Sequence, residues 1–293
     1  MVRQVGTLTE AVQKYREIHT ECCKLLDAAL TLSAAAQGQS VATRELEVGS
    51  WLFAKLVLHA KAVVDLAPQG PLGGSAPPQE LWDVSSMAVL TRAEIDAYYA
   101  LFYIAVDDVD AEMSEFRWLL WDYHSEFRRL KNLQLIHSTS PAMPQLEARV
   151  EDLASKMKTH PVYQRQKSHV RNNIRKGKLG IFATNSELAK RASIDPAYYK
   201  TVFTFLSSYV HAHPFSVNQL AAFRAGEKES LRLISTVLRY AEVYLSLALR
   251  DFISLTPNQK PNLDPNIEEL IALWCNIAGD FSQLRKEKLG KHP

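Results

Sequence analysis

Apolar residues recur at helical spacing along most of this 293-residue chain, and this periodicity constrains the fold more than any other feature. In residues 111–135, for example, they lie three and four positions apart, at Phe116, Leu119, Leu120, Tyr123 and Phe127. No segment alternates apolar and polar residues in the way of a half-buried strand, and no internal repeat is evident. The sequence therefore predicts an all-α fold.

Proline and glycine divide this pattern into eight or nine predicted helices in one compact bundle. The main break is the segment PQGPLGGSAPP at residues 68–78, which predicts a loop. We expect one helical domain over residues 1–293, with packing helices within residues 1–67 and 264–287. The predicted helices lie at about residues 7–36, 43–66, 81–106, 111–135 and 145–158, in a short segment from 186, and at 196–211, 227–255 and 265–286.

Composition places the chain among ordinary globular proteins, since 47% of its residues are hydrophobic and 23% are charged. The net charge of +2 gives no overall attraction to nucleic acid or anionic lipid. Three cysteines, Cys22, Cys23 and Cys275, cannot pair completely, which favours a reducing compartment. The N-terminal segment lacks a signal peptide's apolar run, and no apolar stretch is long enough to cross a membrane. We expect a cytoplasmic protein with no membrane partner.

Polar side chains form a stripe along the predicted helix at residues 81–106. Their neighbours are mostly apolar, so we expect the stripe to be buried on most sides. A buried guanidinium needs a compensating charge, and Asp96 lies one helical turn after Arg92. Removing one member of a dry pair costs about 3–5 kcal/mol. The stripe consists of Ser85, Arg92, Asp96, Tyr99 and Tyr103.

A second polar stripe lies on the predicted helix that ends before Pro214. It contains Thr204, Ser207 or Ser208, and His211, while most of the helix circumference is apolar. Buried hydroxyls and imidazoles almost always have hydrogen-bond partners. We therefore hypothesise that Ser207 and His211 meet the Arg92–Asp96 stripe across a helix–helix contact. A carboxylate beside His211 would fix its tautomer and favour its protonated form.

The two stripes resemble the signatures of a bacterial all-helical family of unknown function. The segment TRAEIDAYYALFYI carries Arg92-x3-Asp96, and LAKRASIDPAYYKTVFTFLSSYVHAHP carries Ser207-x3-His211 near a helix end. The resemblance covers about residues 81–255, the family-like core. The family has glutamate where this chain has Asp96. The resemblance implies a fold and a site rather than an activity.

Two interpretations of the stripes remain open. The polar network either specifies only how two helices pack or lines a ligand-binding or catalytic pocket. In a catalytic pocket, His211 would act as the acid or base and Arg92 as an anion clamp. Ser207 lacks the elbow motif of a serine nucleophile. The catalytic candidates are His211, Arg92, Asp96 and Ser207, and the ligand-binding candidates are Tyr99, Tyr103 and His213.

A metal-independent ribonuclease of the HEPN kind is an alternative function. These helical proteins carry an arginine, four to six residues and then a histidine. Arg117-x6-His124 and Arg285-x6-His292 have this spacing, but such short matches also arise by chance. Trp118 follows Arg117 where that family usually has a polar residue. Such an enzyme would use His211 or His124.

The segment 156–178 holds eight basic residues and no acidic residue, which suggests nucleic-acid or phosphate binding. If the segment is helical, Lys167, Arg171, Arg175 and Lys178 share one face that suits phosphate contacts. Alternatively, the basic residues are solvated or pair with the acidic segment 93–116, within the chain or across a homo-oligomer. The basic residues are Lys156, Lys158, Arg165, Lys167, Arg171, Arg175, Lys176 and Lys178.

The sequence predicts neither a metal nor a cofactor. The acidic run from Asp107 to Glu112 does not have the spacing of an aspartate-rich magnesium motif, and His211-x-His213 lacks further ligands. The leading hypothesis is a binding or sensing module whose partner is a small ligand or RNA. A setting in stress response or phage defence rests on analogy of fold alone.

Overall fold

The structure is a computed structural model that describes residues 7–38, 43–69, 72, 82–211, 214–256 and 263–290. In this part of the chain every regular element is helical and no strand occurs, which confirms the predicted all-α fold. It forms thirteen α-helices rather than eight or nine, together with one π-helical turn. Three short helices were not predicted, at Pro161–Gln164, Ser168–Arg175 and Pro214–Ala222, and the helix predicted at 265–286 is divided in two at Asp280.

The described chain forms two compact units. Unit 1 comprises residues 1–106 and 185–293, and unit 2 comprises residues 107–184. One domain over residues 1–293 stays a prediction. The helices are α1 (Leu8–Ala36), α2 (Arg44–Leu66), α3 (Val84–Leu101), α4 (Ala111–Leu135), α5 (Met143–Thr159), α6 (Pro161–Gln164), α7 (Ser168–Arg175), α8 (Asn185–Arg191), α9 (Pro196–Val210), α10 (Pro214–Ala222), α11 (Lys228–Leu255), α12 (Pro265–Gly279) and α13 (Phe281–Gly290).

Helix α11 forms the centre of unit 1. It packs against α1, α2, α3 and α12, so residues 241–249 are buried without interruption. A helix surrounded in this way can be apolar on all sides, which explains its long hydrophobic segment. Near its C-terminal end the Phe252 ring stacks on Phe53 of α2, with the ring centroids 4.2 Å apart.

Helices α3 and α9 carry the two predicted polar stripes and pack against each other within unit 1. Helix α3 ends at Leu101 and continues as a π-helical turn, Phe102–Val106, where the sequence predicted uninterrupted α-helix. Asp195 caps α9 by accepting hydrogen bonds from the Ala197 and Tyr198 N–H groups. The predicted loop at 68–78 lies mostly outside the described residues.

Unit 2 consists of α4, α5, α6 and α7. Helices α4 and α5 pack against each other over an apolar core that includes Phe116, Leu120, Val150 and Ile174. No helix in the described parts of either unit is both long and apolar enough to cross a membrane.

Candidate functional site

The Arg92–Asp96 pair is present on α3. Arg92 Nη1 lies 2.5 Å from Asp96 Oδ2, one helical turn away. The Arg92 side chain is 14% exposed, whereas the Asp96 side chain is 54% exposed. The stripe is therefore covered at the guanidinium and open to solvent at the carboxylate, and not buried on most sides along its whole length.

Aromatic side chains of α9 hold the Arg92 guanidinium in place. Arg92 Cζ lies 3.9 Å from the centroid of the half-buried Phe203 ring, a cation–π contact. Tyr199, one turn earlier on α9, packs edge-on against Tyr99 with the ring centroids 5.8 Å apart. The pKa of Tyr199 is raised, mainly by burial, with Arg92 and Asp96 acting in opposite directions. Arg92 is thus stacked as well as paired.

Helix α8 adds an amide to the pair. Asn185 Nδ2, at the first residue of α8, donates to Asp96 Oδ1 at 3.2 Å. The half-buried Asn185 was not among the predicted site residues, because an asparagine at a helix start is ordinarily interpreted as a cap. Three helices, α3, α8 and α9, therefore build the polar surface around Asp96.

Tyr99 and Tyr103 lie in the core of unit 1 and not at this surface. Tyr99 is 1% exposed, and its hydroxyl lies 3.2 Å from the Tyr244 hydroxyl of α11. Burial, the first cause, and Tyr244 both raise the pKa of Tyr99. Tyr103 is also fully buried. The two tyrosines therefore pack unit 1, and direct ligand contact by either stays a prediction.

Among the described residues, Arg92 forms no hydrogen bond or ion pair with Ser207 or His211. Arg92 forms its ion pair with Asp96 and its cation–π contact with Phe203. His211 is the exposed C-cap of α9, eight residues after Phe203, which is about 12 Å along a helix at 1.5 Å per residue. The α3–α9 packing register thus sets an aromatic ring, and not the imidazole, against the guanidinium. A catalytic role for Ser207 or His211 stays a prediction, and His213 lies outside the described residues.

Glu94 is a buried acid that sequence reasoning missed. It is 0% exposed, and neither carboxylate oxygen has a hydrogen-bond partner among the described residues. Burial raises its pKa well above the ordinary carboxyl value. The nearby hydroxyl of Thr91, one turn earlier on α3, is equally buried and without a partner there. Glu94 was counted in the acidic segment 93–116, and only its apolar neighbours indicated burial.

A second charged cluster lies between α1 and α11. Arg239 Nη1 donates to Glu242 Oε2 at 2.7 Å and also contacts Glu21 of α1. Burial raises the pKa of Glu242 to about 7, while Arg239 acts to lower it. The Arg239 guanidinium also lies over the Trp274 ring of α12, with Cζ 4.5 Å from the centroid. This cluster links three helices of unit 1.

The HEPN-like pair Arg117 and His124 lies on α4 in unit 2, and Arg117 has a structural partner. Its guanidinium forms an ion pair with Asp107, and both side chains are 5% exposed. His124 packs against Gly180, where an added Cβ would lie 2.9 Å from imidazole Cγ. Burial, and secondarily Arg128, lowers the pKa of His124. The other match ends at His292, outside the described residues.

The basic segment 156–178 is not one continuous helix. It spans the end of α5, then α6 and α7, and α7 includes only Arg171 and Arg175 of the predicted four-residue face. Lys167 is the N-cap of α7, and Lys178 follows Gly177, whose φ of +60° ends the helical course. Part of the segment is paired within unit 2, because Arg165 contacts Glu112 and Lys156 contacts Asp152.

The described residues contain no group of three or more histidine, cysteine, aspartate or glutamate side chains that could hold a metal ion.

The model of the family of unknown function DUF5677 matches residues 47–228, which is more than half of the chain. The chain therefore belongs to this family, and the resemblance to a helical family of unknown function is confirmed. Comparison with curated proteins and with solved structures gave no match.

Proposed function

We propose that this member of the DUF5677 family is a binding module whose ligand contacts the Arg92–Asp96 pair. The observation that carries the proposal is a guanidinium fixed on an aromatic ring beside an accessible carboxylate. This arrangement supports ligand binding better than acid–base catalysis, since the partners of Arg92 are a carboxylate and a phenyl ring and neither contact involves an imidazole. The ligand would replace solvent at the exposed Asp96 carboxylate.

The chemistry of the surface favours a planar polar ligand. Asp96 offers a hydrogen-bond acceptor, Arg92 offers donors, and Asn185 offers one of each. Half-buried rings of Phe203 and Tyr199 lie on the same side of α9 and provide apolar contact area. A nucleobase combines a flat ring with adjacent donor and acceptor groups. We therefore take a nucleotide or an unpaired RNA base as the ligand class, in the cytoplasm, with homo-oligomerisation a separate prediction.

Solvent exposure argues for binding over packing alone. The ion pair joins two residues of α3, and the contact from Arg92 to α9 is the cation–π contact with Phe203. Asp96 is more than half exposed, so solvent screens its attraction to Arg92 and the pair contributes about 0–1 kcal/mol to stability. The pair is therefore a weak packing device, although it keeps the guanidinium oriented. Orientation of this kind reduces the cost of ligand binding.

The proposal is tested by a thermal-shift panel of AMP, GMP, CMP and UMP. We expect at least one nucleotide to raise the melting temperature of the wild type and to lose most of that effect with Asp96→Asn. The ligand-free melting temperature of Asp96→Asn should stay close to that of the wild type, because the Asp96 carboxylate is open to solvent that screens the pair. Asp65→Asn, which alters the exposed Lys61–Asp65 pair of α2, is the matched control. Equal shifts for wild type and Asp96→Asn contradict the proposal.

A second candidate function, phosphate-backbone binding, is favoured by the orientation of α7 in unit 2. Ile174 is 0% exposed and anchors the helix, while Lys167, Arg175 and Lys178 are exposed. The Arg175 carbonyl also accepts a hydrogen bond from the Tyr123 hydroxyl at 2.8 Å, which fixes the end of α7. A cationic surface on an anchored helix is sufficient for contacts to phosphates.

Single-stranded RNA binding measured across a salt series tests this candidate. We expect affinity to fall with salt, by a slope of about 0.7 per phosphate contact. Lys167→Gln/Lys178→Gln should flatten that slope, whereas Arg128→Gln/Lys131→Gln, an equal charge change on α4, should leave it nearly unchanged. A flat salt response of the wild type, or equal slopes for the two double variants, excludes α7 as a phosphate-binding surface.

A further inference from the structure

A groove lies on unit 1 between α1, α11 and α12, away from the residues that surround Asp96. Its volume is about 600 Å³, within the range of about 300–1,000 Å³ typical of small-molecule sites. Ala11 and Ile18 of α1, Tyr240 of α11 and Trp274 of α12 supply apolar surface to its walls. A cavity of this size with apolar walls accommodates a short hydrocarbon chain or an aromatic ring.

Two exposed cations line the same groove without an acidic partner. Lys14 of α1 and Arg232 of α11 make no ion pair among the described residues. Glu10 also lines the groove, and its Oε2 accepts a hydrogen bond from the Thr7 N–H at 2.7 Å. The lining cations Lys14, Arg232 and Arg239 outnumber this one acid, so the charge of the groove lining is positive.

Arg239 at the groove plays a different part from these two cations. Its guanidinium is held by Glu21 and Glu242 and lies over the Trp274 ring. Since Glu21 and Glu242 both hold its guanidinium, Arg239 fixes the wall of the groove. Lys14 and Arg232 are the lining cations without an ion pair among the described residues. The groove thus combines a rigid aromatic wall with two accessible cations.

We propose that this groove binds a small amphiphilic carboxylate, distinct in site and in chemistry from the ligand at Asp96. The apolar body of the ligand packs against Ile18, Tyr240 and Trp274, and its carboxylate meets Lys14 and Arg232. The hydroxyls of Ser235 and Thr236, which also line the groove, lie within the same wall of α11. Charge complementarity and apolar area act together, so neither a neutral chain nor a small hydrophilic anion satisfies the site.

Calorimetric titration of octanoate into the full-length protein tests the proposal, with octanol as the neutral probe and acetate as the anion without a chain. We expect octanoate to bind, and octanol and acetate to bind at least tenfold more weakly. Lys14→Gln/Arg232→Gln should weaken octanoate binding by about tenfold, which corresponds to about 1.4 kcal/mol. Lys24→Gln/Lys200→Gln, which removes the same charge at exposed lysines outside the groove, should leave the affinity unchanged.

Ser235→Phe provides an independent test, because the ring fills the groove without altering its charge. It should abolish octanoate binding while the far-ultraviolet circular dichroism and the nucleotide response at Asp96 are kept. The proposal is overturned if octanol binds as tightly as octanoate or if Ser235→Phe retains wild-type affinity for octanoate. It is also overturned if Lys14→Gln/Arg232→Gln and Lys24→Gln/Lys200→Gln bind octanoate with equal affinity. Failure of nucleotide binding with intact octanoate binding would sink the proposed function and leave this inference standing.

Discussion

Replacing Glu94 by glutamine is expected to raise the free energy of unfolding at pH 8, by up to about 1.4 kcal/mol for each pH unit by which the raised pKa exceeds 4.5. The wild-type carboxyl is fully buried on α3 without a hydrogen-bond partner among the described residues, so its charged form is strongly disfavoured in the fold. Cys22 of α1 and Tyr244 of α11 are the titratable groups that interact with it electrostatically, and neither supplies positive charge. Glutamine has nearly the same shape and carries no charge to bury.

The sign of the pH dependence follows from the raised pKa of Glu94. The folded state holds the proton while the unfolded chain releases it above the ordinary pKa of 4.5. The stability that this group contributes is therefore fully present below pH 4.5 and is lost as the pH rises through the raised pKa, at up to about 1.4 kcal/mol per pH unit. The Glu94→Gln variant has no titratable group at this position, so its free energy of unfolding does not fall in this way as the pH rises.

Urea unfolding of both proteins at pH 5, 6, 7 and 8 measures the effect as the difference between variant and wild type. That difference should grow with pH. Glu269→Gln, at an exposed glutamate of α12, serves as the control and should give a difference near zero at every pH. A constant difference for Glu94→Gln, or a wild type that is more stable than the variant at pH 8, would show that Glu94 is ionised in the fold.

Replacing Asp107 by alanine is expected to destabilise unit 2 by about 3–5 kcal/mol. The change leaves the Arg117 guanidinium in a site where the side chain is 5% exposed, without the carboxylate that balances it. Hydrogen exchange of peptides from residues 107–184 measures the loss, since exchange reports the opening of each segment separately. Glu112→Gln, which removes the exposed partner of Arg165, should cost less than about 1 kcal/mol.

A double variant separates the charge effect from loss of packing. Asp107→Leu/Arg117→Met replaces both charges by apolar groups, and such replacements of a buried pair are often neutral. Most of the stability lost in Asp107→Ala should return. If hydrogen exchange in Asp107→Ala matches the wild type, the Arg117–Asp107 pair does not stabilise unit 2. Arg117 would then again be a candidate residue for RNA cleavage.

Local periodicity was sufficient to predict the long helices, and it also predicted the Arg92–Asp96 pair. A spacing of four residues on a helix places two side chains together whatever else the chain does. Helices α6 and α10 escaped prediction because they are only four and nine residues long. Their few residues carry too little periodicity to indicate a new helix.

The partners of the pair required the tertiary structure. Nothing in the spacing of α9 indicates which of its turns faces Arg92, so the polar His211 was expected where the aromatic Phe203 lies. Asn185 contacts Asp96 across 89 positions, and such a contact has no local signal. The burial of Glu94 was missed for a related reason, because acidic residues are almost always exposed unless they are paired.

The Arg92 Nε–Hε resonance is the most direct probe of whether a ligand engages the α3 pair. It can be assigned in a ¹⁵N-labelled sample by its disappearance in Arg92→Lys, and then followed during titration with the nucleotide that gives the largest thermal shift. We predict a saturating shift of this resonance in the wild type and little change in Asp96→Asn. A nucleotide that binds while the Arg92 resonance stays in place would contradict the account, since the guanidinium would then serve only to pack α3 against α9.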